Sequence, residues 1–147
     1  MALITLGTAP KPFTNPHIAT IQKNAIQSWT QLGDEVEVVL VGEETGAREA
    51  AQELGVPLIV DVSRNESGTP LVSSIFDCMR KHSDSPILVY VNADILLLPD
   101  FLTTVKQIMK FNQPFLGVGQ RWDLDVTSRL DFGDIPEGDT LVHWETS

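Results

Sequence analysis

The chain has 147 residues, 42% of them hydrophobic, and a formal net charge of -10. Acidic residues outnumber basic ones 20 to 10 and no basic tract occurs, which argues against non-specific binding to nucleic acid or to an anionic membrane. No cationic N-terminal region precedes an apolar segment, and no apolar run approaches the ~20 residues of a spanning helix. We therefore expect one cytoplasmic domain over residues 1–147, without a membrane span.

The first half of the chain predicts two strands and two helices. A strand over Leu3–Leu6 precedes a helix that begins at Asn15–Pro16, a cap residue followed by proline, and ends at a glycine. A second strand is predicted over Val36–Val41. The next helix is predicted over Ala47–Leu54, whose alanines repeat at a helical spacing that suits close packing on a sheet.

The second half continues the alternation. A strand is predicted over Leu58–Val62, and a helix opens at Thr69–Pro70, again a cap followed by proline. The near-continuous apolar run Ile87–Val91 is typical of a central strand buried on both faces. A last helix begins at Pro99, and a fifth strand is predicted over Phe115–Val118.

This regular alternation predicts an α/β fold with a doubly wound, largely parallel sheet and helices on both faces. A common order for such sheets is 3-2-1-4, here with a fifth strand in addition, so that the chain reverses direction between the first and fourth strands. Ligands bind outside the carboxyl ends of the strands at that point. The loop Thr8–Ala9–Pro10 after the first strand should therefore adjoin Asn92–Ala93–Asp94 after the fourth.

Asp94 is the first candidate for ligand or metal chemistry. It lies between the apolar runs 88–91 and 95–98, where a carboxylate is costly unless the strand has just ended at a site that needs negative charge. The structural alternative is that Asp94 only starts a turn and that Asn92 tolerates a left-handed backbone.

Further polar candidates follow strand ends or precede helices at the same edge. As ligand contacts, Glu43 would accept a hydrogen bond from a base or ribose, Arg121 would meet phosphate, and Asp123 would help to bind metal or acceptor. Asn65 and Thr69 flank a glycine that lets backbone amides approach a nucleotide. Each also has a structural explanation, namely a solvated helix start, a surface ion pair, or a turn with a helix cap.

Three of these segments, in this order and at these strand ends, resemble nucleotide-sugar glycosyltransferases of the GT-A fold, especially their family-2-like members. The segments are Val41-Gly42-Glu43-Glu44-Thr45-Gly46, Arg64-Asn65-Glu66-Ser67-Gly68-Thr69-Pro70-Leu71 and Val91-Asn92-Ala93-Asp94-Ile95. The resemblance extends from about Ile4 to Asp125. It implies a donor-binding domain for a nucleotide diphosphate sugar, which would be transferred to an unknown acceptor.

The resemblance also implies roles for individual residues. Asp94 would hold Mn²⁺ or Mg²⁺, which neutralises the diphosphate as the leaving group departs, and Asp94 and Asp123 are the catalytic candidates. The residues expected around the nucleotide are Thr8, Ala9, Pro10, Glu43, Asn65, Thr69, Asn92 and Arg121. Asn92 stands where the family has aspartate, which removes one negative charge and weakens metal binding.

The resemblance covers the donor half of the family and not the acceptor half. If the chain is complete, transfer would need a partner subunit, a homo-oligomer or an unusually small acceptor site; a chain truncated at its C-terminus is the other explanation. A non-catalytic module that binds nucleotide sugars or another protein therefore remains an alternative. A nucleotidyltransferase is disfavoured, because the loop after the first strand is neither glycine-rich nor basic.

Overall fold

A four-stranded parallel sheet forms the centre of the computed structural model, which describes residues 2–110, Arg129 and the backbone of residues 119–120 and 145–146. The strand order is 3-2-1-4, which confirms the order predicted for these four strands. The strands are β1 (Ile4–Thr8), β2 (Val36–Val41), β3 (Leu58–Ile59) and β4 (Ile87–Tyr90). A separate antiparallel pair is formed by β5 (Gly119–Gln120) and β6 (Glu145–Thr146).

The register of the sheet places β1 between β2 and β4. Ile4 pairs with Val36 on one side and with Ile87 on the other, and the three strands run in the same direction. Every residue of β1 is buried, whereas every residue of β4 is half-buried. Among the described residues β4 is the last strand of the sheet, and the expectation that Ile87–Val91 is a central strand stays a prediction. The predicted strand Phe115–Val118 lies outside the described residues.

The helices of the described part cover both faces of the sheet. Trp29, Ala51 and Val105, from the first, second and fourth helices, lie in one apolar cluster, while Ile75 and Met79 of the third helix lie in the cluster on the opposite face. The chain is therefore an α/β protein with a parallel sheet and helices on both faces. The helices are α1 (Pro16–Thr30), α2 (Ala47–Leu54), α3 (Val72–His82) and α4 (Pro99–Met109). Within residues 2–110, none is long and apolar enough to cross a membrane.

Local signals account for the start of α1 and the bounds of α2. Asn15 Oδ1 accepts the backbone N–H groups of His17 and Ile18 at 2.9 and 3.3 Å, and Pro16 is the first helical residue. The bounds of α2 are those predicted, and Gly55 ends it in the left-handed conformation with φ of 71°. Both features confirm that capping chemistry sets these helix ends.

Two elements differ from their predicted bounds. β3 contains only Leu58 and Ile59, because the Val62 N–H donates to the Val60 carbonyl at 3.1 Å and turns the chain away from the sheet. α3 begins at Val72 and not at Thr69–Pro70, and its cap residue has no side-chain hydrogen bond to the helix. The predicted cap at Thr69 is therefore wrong, since that residue is hydrogen-bonded within the preceding loop.

Candidate functional site

Four segments meet at the carboxyl edge of the sheet. We call them the β1 loop (residues 9–15), the β2 loop (42–46), the α3 loop (63–71) and the β4 turn (92–95). The first two are joined by a hydrogen bond from Phe13 N to Thr45 O at 2.7 Å, and the next two by an ion pair between Glu44 and Arg64. The β4 turn begins beside β1, since Val91 N donates to Gly7 O at 3.1 Å. The predicted convergence of these segments on one edge is thus observed.

The β1 loop is fixed by a buried glutamine of α1. Gln22 is 3% exposed, its Oε1 accepts the N–H of Lys11 at 2.6 Å, and its Nε2 donates to the carbonyl of the same residue at 2.9 Å. Satisfying both backbone groups at once holds the loop in one position. Ala9 is half-buried and Pro10 is buried, so these two residues lie at the predicted edge but present little polar surface.

Thr8 ends β1 with an unusual hydroxyl group. The residue is fully buried, and its Oγ1 has no hydrogen-bond partner within the described residues. Leaving a buried hydroxyl unpaired costs about 1–3 kcal/mol. Thr8 therefore lies at the predicted site, but its side chain is enclosed in the protein interior instead of facing a ligand.

Thr8→Val is expected to raise the free energy of unfolding by about 1 kcal/mol, because valine keeps the β-branched shape and removes the unpaired hydroxyl. Thr8→Ser is the matched control, since it keeps the hydroxyl and deletes the methyl, and it should destabilise the protein. Urea denaturation of the three proteins measures the difference. A loss of stability in Thr8→Val would mean that the hydroxyl is paired.

Two neighbouring acids of the β2 loop have different partners. Glu44 Oε1 lies 2.6 Å from Arg64 Nη1, and both side chains remain partly exposed, at 27% and 30% of their surface. Glu43 is exposed and lies 3.9 Å from Arg48, so its carboxylate is open to solvent and to a ligand. Arg64 Nη1 also donates to the carbonyl of Gly68 at 2.8 Å. Glu44 therefore has a structural role, and Glu43, the acid predicted to contact the ligand, remains exposed.

Asn65 and Thr69 are paired with each other across the α3 loop. Asn65 Oδ1 accepts the N–H groups of Ser67 and Thr69 at 2.9 and 3.0 Å, and Asn65 N donates to Thr69 O at 2.9 Å. Gly68 completes the turn with a φ of 82°. The structural explanation of these residues as a turn is confirmed. As ligand contacts they remain a prediction, and they would act as part of a preformed loop.

The β4 turn carries Asn92 and Asp94 on exposed positions. It is closed by a hydrogen bond from Ile95 N to Asn92 O at 3.2 Å. The turn of the structural alternative is therefore present, and the Asp94 side chain is exposed as well. Among the described residues, no group of three or more His, Cys, Asp or Glu side chains could hold a metal ion. Asp94 and Asn92 would therefore supply only part of the ligands of any metal ion.

Tyr90, the last residue of β4, lies within the electrostatic reach of Asp94. Its half-buried phenol has a raised pKa, first because burial disfavours the phenolate and second because the negative charge of Asp94 opposes it. Tyr90 is the only tyrosine in the chain. Its ionisation can therefore be followed directly.

Asp94→Asn is expected to lower the pKa of Tyr90 towards its ordinary value, while burial keeps part of the shift. Because the folded protein holds the phenol proton more tightly than the unfolded chain, this stabilisation is complete below the unfolded pKa and is lost as pH rises through the folded pKa. The ultraviolet absorbance of the phenolate measures the titration. Asp100→Asn is the control and should leave the pKa unchanged.

Arg121 and Asp123 lie outside the described residues, so their roles remain predictions. Sequence reasoning missed Gln22 and Tyr90. Gln22 could have been found, because it lies four residues after Ile18 and three before Ala25 on the apolar face of α1, where a polar residue needs a partner. Tyr90 carries the weaker signal of a polar-tipped aromatic side chain at the end of a strand.

Comparison with known proteins gives no family for this chain. No protein-family model matches the sequence, and no curated protein matches it. Support for a function therefore comes from the residues and the geometry of the carboxyl edge.

Proposed function

We propose that this chain is a donor-binding domain of GT-A type, which binds a nucleotide diphosphate sugar at the carboxyl edge for glycosyl transfer. The observation that carries the proposal is the position of Asp94. β1 has β2 on one side and β4 on the other, so the sheet order reverses between β1 and β4, and Asp94 lies four residues beyond the end of β4. Open parallel sheets bind ligands at this point.

The charges of the edge support a ligand whose diphosphate arrives with a cation. Arg64 is already paired with Glu44, and Arg48 lies beside Glu43. Two free phosphate groups would be repelled by the carboxylates of Glu43 and Asp94, and among the cations of residues 2–110 at this edge Lys11 is exposed. A divalent metal bound to the diphosphate removes that repulsion.

The donor set at the β4 turn fits Mg²⁺ or Mn²⁺ only in combination with a nucleotide. Magnesium commonly takes one or two carboxylates from the protein and completes its shell with substrate phosphates and water. The Asp94 carboxylate, with the amide oxygen of Asn92, matches that pattern and not a site built entirely from protein ligands. When bound, the ion would neutralise charge on the diphosphate. The chain's own residues would orient the donor, with Glu43 accepting from the base or ribose.

A second candidate is a non-catalytic nucleotide-sugar-binding or interaction module. It is favoured by Asn92, whose neutral amide stands where the GT-A family has a charged aspartate. In this case the edge would bind the donor without transferring its sugar.

Calorimetric titration with UDP-glucose and with GDP-mannose, each with and without Mn²⁺, tests the proposal. We expect binding that Mn²⁺ strengthens and that Asp94→Ala weakens by about tenfold or more, since even indirect partners of metal ligands are worth about 10–100-fold. Asp100→Ala, at another exposed acid after β4, is the control and should bind as the wild type does. Absence of binding to both donors would overturn the proposal.

Slow donor hydrolysis separates the two candidates. An enzyme should release the sugar from a bound donor faster than solvent does, and Asp94→Ala should reduce that rate. The non-catalytic module should bind the donor and leave it intact. Equal hydrolysis rates for the wild type and Asp94→Ala would remove Asp94 from any catalytic role.

A further inference from the structure

Arg64 connects the β2 loop to the α3 loop. Its Nη1 lies 2.6 Å from Glu44 Oε1 of the β2 loop and donates to the Gly68 carbonyl of the α3 loop at 2.8 Å. Its Nη2 lies against Gly42, where a β-carbon would stand 3.4 Å away, and Gly42 has a positive φ of 109°. One guanidinium group therefore contacts both loops, and it contacts the β2 loop at two positions.

The two contacts with the β2 loop lie on either side of Glu43, the acid predicted to contact the ligand. Gly42 precedes Glu43 and Glu44 follows it, so the guanidinium group restrains the chain before and after an exposed carboxylate. The Glu43 side chain is 68% exposed, and its ion pair with Arg48 is long, at 3.9 Å. The position of Glu43 is therefore set by the backbone of the β2 loop more than by its own side-chain contact.

The same side chain also restrains the turn that carries Asn65 and Thr69. The Gly68 carbonyl that accepts from Arg64 directly precedes Thr69 in the chain. The backbone of Arg64 forms an antiparallel bridge with Pro70, which closes the α3 loop at its base. Arg64 thereby fixes this turn relative to the β2 loop.

We propose that Arg64 is a positioning residue for nucleotide binding, which holds the two loops at the separation that the ligand needs. This inference rests on the proposed function, in which Glu43 of one loop and Asn65 and Thr69 of the other contact the nucleotide. Because both contacts of its Nη1 are made within the protein, Arg64 acts through these residues and does not bind the diphosphate itself. Loops that are held in place before binding lose less conformational freedom when the ligand arrives, which raises the affinity.

A direct phosphate contact by Arg64 predicts the opposite response to the loss of Glu44. Glu44→Ala would release the guanidinium group and remove a negative charge, so a phosphate contact, or a general effect of charge, would strengthen the binding of an anionic donor. A positioning role predicts weaker binding, because the β2 loop loses its ion pair with the α3 loop. The sign of the change in affinity therefore separates the two roles.

Calorimetric titration of Arg64→Ala and Glu44→Ala with UDP-glucose and GDP-mannose tests the inference. We expect both variants to bind about 2- to 10-fold more weakly than the wild type, the usual cost of ordering one more side chain on binding. Their thermal unfolding should change little, because a partly exposed ion pair contributes little to stability. Arg80→Ala is the matched control and should retain the affinity, since Arg80 donates to the carbonyls of Ser83 and Ser85 at the opposite edge of the sheet.

A double-mutant cycle with Glu43→Gln gives a measurement that a merely structural role would leave unchanged. If Arg64 acts by placing Glu43, Arg64→Ala should weaken binding less in the Glu43→Gln background than in the wild type. Additive losses, undiminished binding by both Arg64→Ala and Glu44→Ala, or tighter binding by Glu44→Ala would each overturn the inference and leave the proposed function standing. If the wild type binds neither donor, both are wrong.

Discussion

Trp29→Ala is expected to lower the free energy of unfolding by about 3–5 kcal/mol, the usual cost of deleting a large buried aromatic side chain. Trp29 is fully buried, and it is the largest of the fully buried side chains among the described residues. It also does more than fill space, since its indole Nε1 donates to the carbonyl of Ile95 at 2.8 Å. The variant would lose both the packing and this hydrogen bond.

Trp29→Ala should also affect the β4 turn, because side chains of α1 are hydrogen-bonded to the backbone at the end of that turn and just beyond it. Ser28, the neighbour of Trp29, accepts the N–H of Leu97 at 3.0 Å through its Oγ. Together these two side chains form hydrogen bonds with the backbone of Ile95 and Leu97, directly after Asp94. Loosening this attachment should also change how Asp94 acts on the Tyr90 pKa.

Urea denaturation followed by circular dichroism measures the effect without relying on tryptophan fluorescence. Trp29→Phe separates the two contributions, because most of the ring volume remains while the Ile95 carbonyl loses its donor, at a cost of about 1–3 kcal/mol. Thr30→Ala is the control, since the Thr30 hydroxyl donates to the carbonyl of Gln27 within the same helix. A cost below about 1 kcal/mol for Trp29→Ala would contradict the packing described here.

Local signals predicted those parts of the fold that local chemistry controls. The cap and proline at Asn15–Pro16 set the start of α1, and Gly55 ends α2. Thr69–Pro70 carries the same cap-and-proline signal, yet the helix starts at Val72, because the Thr69 N–H donates to Asn65 Oδ1 in the preceding loop. A competing hydrogen bond within a loop is not visible from a cap motif alone.

The site was predictable in its location and less so in its contacts. Strand order and the position of Asp94 placed the β1 loop and the β4 turn at one edge, and the structure brings them together. The partners of Glu44 and Gln22 could not be predicted, because they depend on how segments that are separate in the sequence approach each other. Sequence spacing fixes which residues share an edge, while pairing at that edge is a tertiary property.

Gly7→Ala is expected to lower the free energy of unfolding by about 1–3 kcal/mol, because a β-carbon at this position would overlap the Met79 side chain of α3. Gly7 has no positive φ, so its backbone conformation is open to alanine and the cost comes from space alone. Met79 is fully buried, so its side chain has little room to move aside. Alanine also restricts the unfolded chain, which offsets part of the cost.

A double-mutant cycle with Met79→Ala shows whether Met79 is the cause. Met79→Ala alone should cost about 2–5 kcal/mol, because it leaves a cavity over Gly7. In Gly7→Ala/Met79→Ala the new methyl group occupies part of that cavity, so the combined loss measured by urea denaturation should be smaller than the sum of the two single losses. Additive losses would mean that another group fills the space over Gly7. Losses that are less than additive would instead establish that α3 packs on β1 through the contact between Gly7 and Met79, at the residue that pairs with Tyr90 of β4.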